Sequence, residues 1–222
     1  MDRKYSKFLT VLLIIIIIAV IGLAGYLGYN YYKDYKTSSD ANQFVSGFVE
    51  EVGDTDTTNS NTEGNTESLA LNIEGATVSS SGNKTKTYKG FNVIGTIQIP
   101  KTNVDYPILE APPTSEKLEA AVVALYPRNA EVNKPGNIVI VGHNYRNNLF
   151  FSNNKKLVNG DKINITDLNG NKVTYIVYNV FQTSQGNTEF YNRDTDGAME
   201  ITLSTCTDAS NDQRLIVFAR AE

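Results

Sequence analysis

Cysteine and histidine are nearly absent from this chain of 222 residues, which contains one of each. A single cysteine excludes an internal disulfide, and the pair falls short of the roughly four ligands that a structural zinc site needs. The formal net charge is −4, and no basic patch of the kind that binds nucleic acid is present. The scarcity leaves one candidate thiol nucleophile, Cys206, and one side chain that titrates near neutral pH, His143.

Charge is distributed unevenly and divides the sequence into three parts. Residues 1–36 carry five basic residues (Lys or Arg) and two acidic ones (Asp or Glu), whereas residues 37–88 carry two basic and eight acidic residues. Residues 89–222 carry thirteen basic and fourteen acidic residues and are therefore nearly neutral. We expect these parts to be an N-terminal anchor, an acidic linker and a folded domain.

The first part contains an uncharged apolar stretch at residues 8–27. About twenty residues in a helix span the ~30 Å hydrocarbon core of a bilayer. Basic residues precede the stretch and several tyrosines follow it, which predicts a single transmembrane helix with its N-terminus in the cytoplasm and the rest outside. The alternative is a cleaved signal peptide, but the stretch is long for one and no Ala-x-Ala site closes it.

The second part, residues 37–88, is rich in Ser, Thr, Asn, Gly, Asp and Glu. Such a composition buries too little apolar surface to offset its chain entropy, so we expect a flexible linker. A short helix around residues 41–52, with Phe44, Val45, Phe48 and Val49 on one face, is expected within it. A transient helix without a role is the alternative for that stretch.

The third part, residues 89–222, has the pattern of a β-rich domain. It contains seven or eight short apolar runs with strand character, and Asn169-Gly170 is a strong signal for a hairpin turn. Residues 114–124 are predicted to be a helix that Thr114 partially caps. Many short strands with one or two short helices predict a mainly β fold that is a closed or nearly closed barrel.

Three residues of this domain could perform acyl transfer together. Attack on a peptide carbonyl requires a thiolate, an acid for the leaving amine and a donor for the developing oxyanion. Cys206 ends one predicted strand, Arg214 begins the next, and His143 follows the end of a third. If these strands are neighbours, all three residues meet at one rim of the barrel. The alternatives are a small buried thiol, a loop histidine and a surface arginine.

The motifs around these residues resemble those of the sortases. The resemblance rests on Pro135-Gly-Asn-Ile-Val-Ile-Val-Gly-His143 and on Thr202-Leu-Ser-Thr-Cys206 followed by Arg214-Leu-Ile-Val217. It implies an eight-stranded sortase-type β-barrel with Cys206 as nucleophile, His143 as general acid and base, and Arg214 positioning substrate and oxyanion. Thr205 is then a candidate substrate contact, with a strand residue satisfied by its neighbours as the alternative.

The resemblance also implies a reaction, a setting and partners. Sortases are membrane-anchored cysteine transpeptidases of Gram-positive bacteria that cleave a Leu-Pro-x-Thr-Gly-type sorting signal between Thr and Gly. The partners implied are exported proteins with C-terminal sorting signals and an amine of a peptidoglycan precursor or a pilin. No cofactor or metal is expected. Some sortases bind calcium near the loop that holds Glu189, Asp194 and Asp196, but solvated loop acids are the favoured interpretation here.

More than one interpretation stays open for the sortase subclass and for the function of the protein. Ser204 occurs in class B sortases, but those carry a long helical insertion where this chain has about seventeen residues, 182–198. Class C features, an Asp-Pro lid motif and a second membrane helix, are not found, which favours a housekeeping or class D-like enzyme. The functional alternatives are another cell-wall cysteine peptidase or transpeptidase, and an inactive membrane-tethered β-domain that binds a partner.

Overall fold

A long helix, α1 (Arg3–Gly53), opens the chain in the computed structural model, which describes residues 3–53, 76–78, 85–125 and 130–222. The chain divides into two compact units, Met1–Ser39 and Asp40–Glu222. The first unit contains the apolar stretch predicted at residues 8–27, whose side chains are exposed. By length and composition, α1 is able to cross a membrane.

The last part of α1, residues 40–53, belongs to the second unit. Phe44, Phe48 and Val52 are buried there in one apolar cluster with Tyr88 and other residues of the second unit. They recur at every fourth position, so they form one face of the helix. The short helix expected around residues 41–52 is thus present as the last part of α1, whereas the expectation of a linker is wrong for residues 37–40, which are helical too.

Two short strands follow within the stretch expected to be linker. β1 (Ala76–Val78) pairs antiparallel with β2 (Lys86–Tyr88), and β2 pairs with the first strand of the barrel. Residues 54–75 and 79–84 of the expected linker lie outside the described residues.

Among the described residues, eight strands close into a barrel, which confirms the predicted fold class. The strands are β3 (Phe91–Ile99), β4 (Val104–Leu109), β5 (Val122–Leu125), β6 (Gly136–Val141), β7 (Lys162–Asp167), β8 (Lys172–Ser184), β9 (Met199–Cys206) and β10 (Gln213–Ala221). Their order around the ring is β3-β4-β5-β6-β9-β10-β8-β7, and β7 pairs with β3 to close it. The β4–β5 and β6–β9 pairs are parallel and the other pairs are antiparallel.

The helix predicted at residues 114–124 is shorter than expected. α2 spans Ser115–Ala120, and Thr114 Oγ1 accepts a hydrogen bond of 3.3 Å from the backbone N–H of Lys117. The predicted continuation to residue 124 is wrong, because Val122–Leu125 forms β5 between β4 and β6. Its two β-branched valines fit a pleated surface with partners on both sides. Two 3-10 turns, Pro100–Thr102 and Asn154–Lys156, complete the regular structure.

The turn predicted at Asn169-Gly170 connects β7 to β8. Gly170 has a φ of +86°, a conformation that glycine adopts at little cost. A Cβ atom at this position would also lie 2.5 Å from the backbone carbonyl oxygen of Val52. Glycine thus permits both the turn and the close approach of the end of α1.

Candidate active site

The predicted catalytic residues lie on or directly after three neighbouring strands: Cys206 on β9, Arg214 on β10 and His143 two residues after β6. Cys206 is the direct antiparallel partner of Arg214, and Val141, the last residue of β6, is the parallel partner of Ser204. Beyond Val141, the N–H of Gly142 donates to the carbonyl of Ser204 at 3.2 Å and the side-chain amide of Asn144 donates to the carbonyl of Cys206. His143 lies between these two contacts, in the loop at the end of the sheet that carries Cys206. The Cys206–Arg214 pair, with His143 in the adjoining loop, is called the catalytic row below.

Side chains on these strands alternate between the barrel interior and an outer face. Ile201, Leu203 and Val217 lie in the core cluster of the interior. The other positions form four rows across the outer face. From the rim downward the rows are Cys206–Arg214, Val141–Ser204–Ile216, Val139–Thr202–Phe218 and Asn137–Glu200–Arg220, and His143 lies in the loop beside the first of them.

Arg214 is held directly against the thiol. Its Nη1 donates to Sγ of Cys206 at 3.4 Å and also to the backbone carbonyls of Asn211 and Gln213. Cys206 is a free, half-buried cysteine. The loop between β9 and β10 therefore fixes a guanidinium with its donor aimed at the sulfur.

Glycine before the histidine permits close packing beneath the site. A Cβ atom at Gly142 would lie 2.8 Å from the Phe151 ring and 3.0 Å from Val122. Phe150 and Phe151 are buried and lie in a turn in the segment that follows His143. Phe150 stacks on Tyr106 with ring centroids 4.9 Å apart.

His143 is half-buried between aromatic rings. Its ring centroid lies 4.7 Å from that of Tyr145 and 6.5 Å from that of Phe150. Burial lowers the pKa of His143 below its usual value of 6.5, while the negative charge of Glu119 acts in the opposite direction. The imidazole is therefore mainly neutral at neutral pH and can accept a proton.

A set of hydrogen bonds joins the loop after His143 to the loop after Cys206. The Asn144 amide donates to the Cys206 carbonyl at 2.9 Å and to Asp208 Oδ1 at 2.8 Å. Arg146 Nε donates to the Asp208 carbonyl at 2.9 Å, and Lys155 forms an ion pair with the Asp208 carboxylate. Sequence reasoning missed Asn144, Asp208 and Lys155. Their signal was weak: Asn144 follows the histidine directly, and Asp208 lies two residues after the cysteine.

A cavity of about 190 Å³ lies beside the cysteine, between the same two loops. Its lining includes Cys206, Thr207, Asn144, Ser152 and Lys155. The site thus has a partly polar recess next to the sulfur.

The remaining predicted site residue, Thr205, lies apart from the catalytic row. Thr205 alternates to the interior, on the side of Leu203, and is buried. Its hydroxyl has no hydrogen-bond partner in the part of the chain that the structure describes. Its role as a substrate contact stays a prediction. Within residues 3–53, 76–78, 85–125 and 130–222, no group of three or more His, Cys, Asp or Glu residues is placed to hold a metal ion.

Comparison with known proteins agrees with the fold and the motifs. The family model of the sortase domain matches residues 97–222, more than half of the chain. The chain belongs to the sortase family. It is 30% identical to sortase A of Bacillus anthracis over 128 residues, which cover 57% of this chain and 58% of that protein. The chain thus spans less than two thirds of the length of that relative.

Solved sortase structures show the same fold. Sortase A from Corynebacterium diphtheriae matches with a TM-score of 0.53 and 29% identity, over 60% of this chain and 61% of that one. A sortase D5 transpeptidase of Clostridium perfringens matches with a TM-score of 0.52 and 34% identity, over 59% and 79%. Listeria monocytogenes sortase A matches with a TM-score of 0.52 and 26% identity, over 59% and 87%.

Proposed function

We propose that this chain is a cysteine transpeptidase in which Cys206 is the nucleophile, His143 the general acid and base, and Arg214 the oxyanion donor. The observation that supports it best is the pairing of Cys206 with Arg214 on adjacent strands, with Arg214 Nη1 3.4 Å from Sγ of Cys206 and His143 in the adjoining loop. Family membership supports the same assignment.

The proposed reaction has two half-steps. Neutral His143 takes the proton of the Cys206 thiol; the thiolate then attacks the carbonyl carbon of a peptide bond and forms a C–S bond, and Arg214 donates to the resulting oxyanion. Protonated His143 gives its proton to the leaving amine as the C–N bond breaks, which leaves a thioester. An acceptor amine then attacks the thioester carbonyl and gives a proton to His143, and cleavage of the C–S bond restores the thiolate.

The proposed substrate is the C-terminal sorting signal of an exported protein, of Leu-Pro-x-Thr-Gly type and cleaved between Thr and Gly. The proposed acceptor is an amine of a peptidoglycan precursor or a pilin. Within the family we propose a housekeeping or class D-like enzyme. The apolar helix α1 supports a single-pass anchor, with the N-terminus in the cytoplasm and the catalytic unit outside.

The test uses the full chain in detergent micelles with a quenched fluorescent Leu-Pro-x-Thr-Gly peptide, with and without hydroxylamine. We expect cleavage by the wild type and a Thr-hydroxamate product when hydroxylamine is present. Cys206→Ala and His143→Ala variants should show no cleavage. Absence of cleavage across a panel of sorting-signal peptides, with a thiol that resists alkylation, would instead favour a binding domain.

A further inference from the structure

A buried carboxylate lies on the same outer face as the catalytic row. The Glu200 side chain is 1% exposed and sits six residues before Cys206 on β9, about 20 Å away along the strand. Arg193 Nη1 and Tyr178 Oη donate to its Oε2 at 2.8 Å and 2.7 Å, and Arg220 Nη2 donates to its Oε1 at 2.6 Å. Burial raises the pKa of Glu200, but these hydrogen bonds outweigh it and the pKa lies below its usual value.

The two arginines that share Glu200 are placed differently. Arg220 is on β10 and its side chain is 60% exposed, whereas the Arg193 side chain is 20% exposed. Arg193 belongs to residues 185–198, which connect β8 to β9 and are called the β8–β9 segment below. Arg220 joins β10 to β9, whereas Arg193 joins the β8–β9 segment to β9. Of these two arginines, only Arg193 can therefore hold the segment in position.

Arg193 contacts each of the three strands that carry the catalytic row. Besides Glu200, its contacts are Asn137 Oδ1 at 3.2 Å, Thr202 Oγ1 at 3.4 Å, Tyr178 Oη at 2.8 Å and the Phe218 ring, whose centroid is 3.7 Å from the guanidinium carbon. A planar guanidinium can bond in its plane and stack on its face at the same time, which an ammonium cannot do. The β8–β9 segment is thus joined through one side chain to β6, β9 and β10.

A second contact fixes the same segment. The Asn137 amide donates to the backbone carbonyl of Phe190 at 3.1 Å. The Phe190 ring is buried against Val139, Ile216 and Phe218. The segment therefore covers the outer face from the fourth row up to Ile216 in the second row.

The second row is one row from the thiol, a step of about 7 Å along the strand. Ile216 and Ser204 of this row are buried. Val141 and Phe181, the partner of Ile216 on β8, are half-buried and pack at the edge of the cluster that contains Phe190. These two half-buried side chains are called the apolar strip below, and the position of the β8–β9 segment sets how much of them is open beside the thiol.

We propose that Arg193 is a positioning residue for the peptide substrate: it holds the β8–β9 segment against the outer face and so fixes the edge of the apolar strip beside Cys206. This inference rests on the proposed function, since the strip meets a peptide only if Cys206 attacks one. Arg193 acts on peptide binding through the segment and does not touch the reacting atoms.

The test compares Arg193→Gln with Arg220→Gln, a matched loss of one arginine from the same carboxylate. The full chain in detergent micelles is examined by amide hydrogen exchange, by alkylation of Cys206 with iodoacetamide and by peptide cleavage. We expect Arg193→Gln to speed exchange within residues 185–198 and to raise the KM for the peptide about tenfold, with an unchanged alkylation rate. Arg220→Gln should resemble the wild type in all three. Arg193→Lys, which keeps the charge without the planar fork, should still show the raised KM.

Several outcomes would overturn the inference. Wild-type exchange and KM in Arg193→Gln would show that the segment is held without Arg193. Equal effects in Arg220→Gln, or full rescue by lysine, would show that only the charge balance of Glu200 matters. Should the wild type cleave no peptide, the proposed function fails, and hydrogen exchange alone still decides whether Arg193 holds the segment.

Discussion

The side-chain amide of Asn144 donates a 2.9 Å hydrogen bond to the backbone carbonyl of Cys206. Asn144 directly follows His143, so this bond joins the chain segment that carries the imidazole to the one that carries the thiol. The same amide donates to Asp208, which extends the connection to the loop leading to Arg214. The relative positions of the three residues in the row thus depend on contacts beyond the strands.

Replacement of Asn144 by alanine removes both hydrogen bonds. We expect kcat for peptide cleavage to fall about tenfold or more with little change in KM, because the histidine segment can then shift relative to the thiol. Steady-state kinetics on the full chain measure this. Asn148→Ala is the matched control, since Asn148 is an exposed asparagine of the same loop that bonds to Asn153. Equal kinetics for the two variants would contradict the expectation.

The pKa of His143 depends on Glu119. Glu119→Gln removes the charge that raises this pKa, so the titration of His143 should move further below 6.5. The chain has one histidine, so its imidazole NMR signal is unambiguous. Glu116→Gln, on the same helix, should leave the titration unchanged. A shift to higher pH in Glu119→Gln would contradict the prediction.

The lowered pKa of His143 also affects stability. The unfolded chain binds a proton at His143 near pH 6.5, where the folded chain does not yet bind one. The stability that the folded chain has because its His143 is neutral is therefore complete above pH 6.5. It is lost as the pH falls from 6.5 toward the pKa of His143 in the folded chain. Denaturant unfolding at a series of pH values should show the loss in the wild type and its absence in His143→Ala.

The docking of residues 40–53 on the barrel predicts a stability effect far from the site. Phe44 is 4% exposed, and its ring lies 5.1 Å from that of Tyr88. Phe44→Ala should lower the free energy of unfolding by about 3 kcal/mol, as expected for a buried aromatic. Gln43→Ala, at an exposed position of the same helix, should change it by less than about 0.5 kcal/mol. Equal unfolding midpoints would show that the helix does not stabilise the barrel.

The geometry of Arg214 predicts that its charge alone is insufficient. Lysine keeps a positive charge but presents a point donor on a flexible stem, whereas Arg214 is held by two backbone carbonyls with its Nη1 directed at the sulfur. We expect Arg214→Lys to reduce kcat about 100-fold or more, the usual effect of losing an oxyanion donor. Cleavage at the wild-type rate would exclude this role.

The pairing of Cys206 with Arg214 was predictable because each residue lies at the end of a strand and consecutive strands are usually neighbours in a barrel. The length of α2 was not, because the valines of β5 continue an apolar run that is compatible with either structure. The docking of α1 depends on contacts with Tyr88, which the pattern of Phe44 and Phe48 indicates only as one apolar face.

The contacts that support the row were beyond sequence reasoning for a different reason. Asn144 and Asp208 are 64 residues apart, and Arg193 and Asn137 are 56 apart. Each belongs to a loop or strand without a motif, and a polar side chain at such a position is usually solvated. Only the closed barrel brings these partners within hydrogen-bond distance.

Identification of the covalent intermediate tests the central claim most directly. The full chain would be mixed with a Leu-Pro-x-Thr-Gly peptide, quenched in acid and mapped by mass spectrometry after digestion. We predict an added acyl fragment ending in Thr, carried as a thioester on the peptide that contains Cys206 and released by hydroxylamine. Peptide cleavage with no adduct on Cys206 would contradict nucleophilic catalysis by this residue.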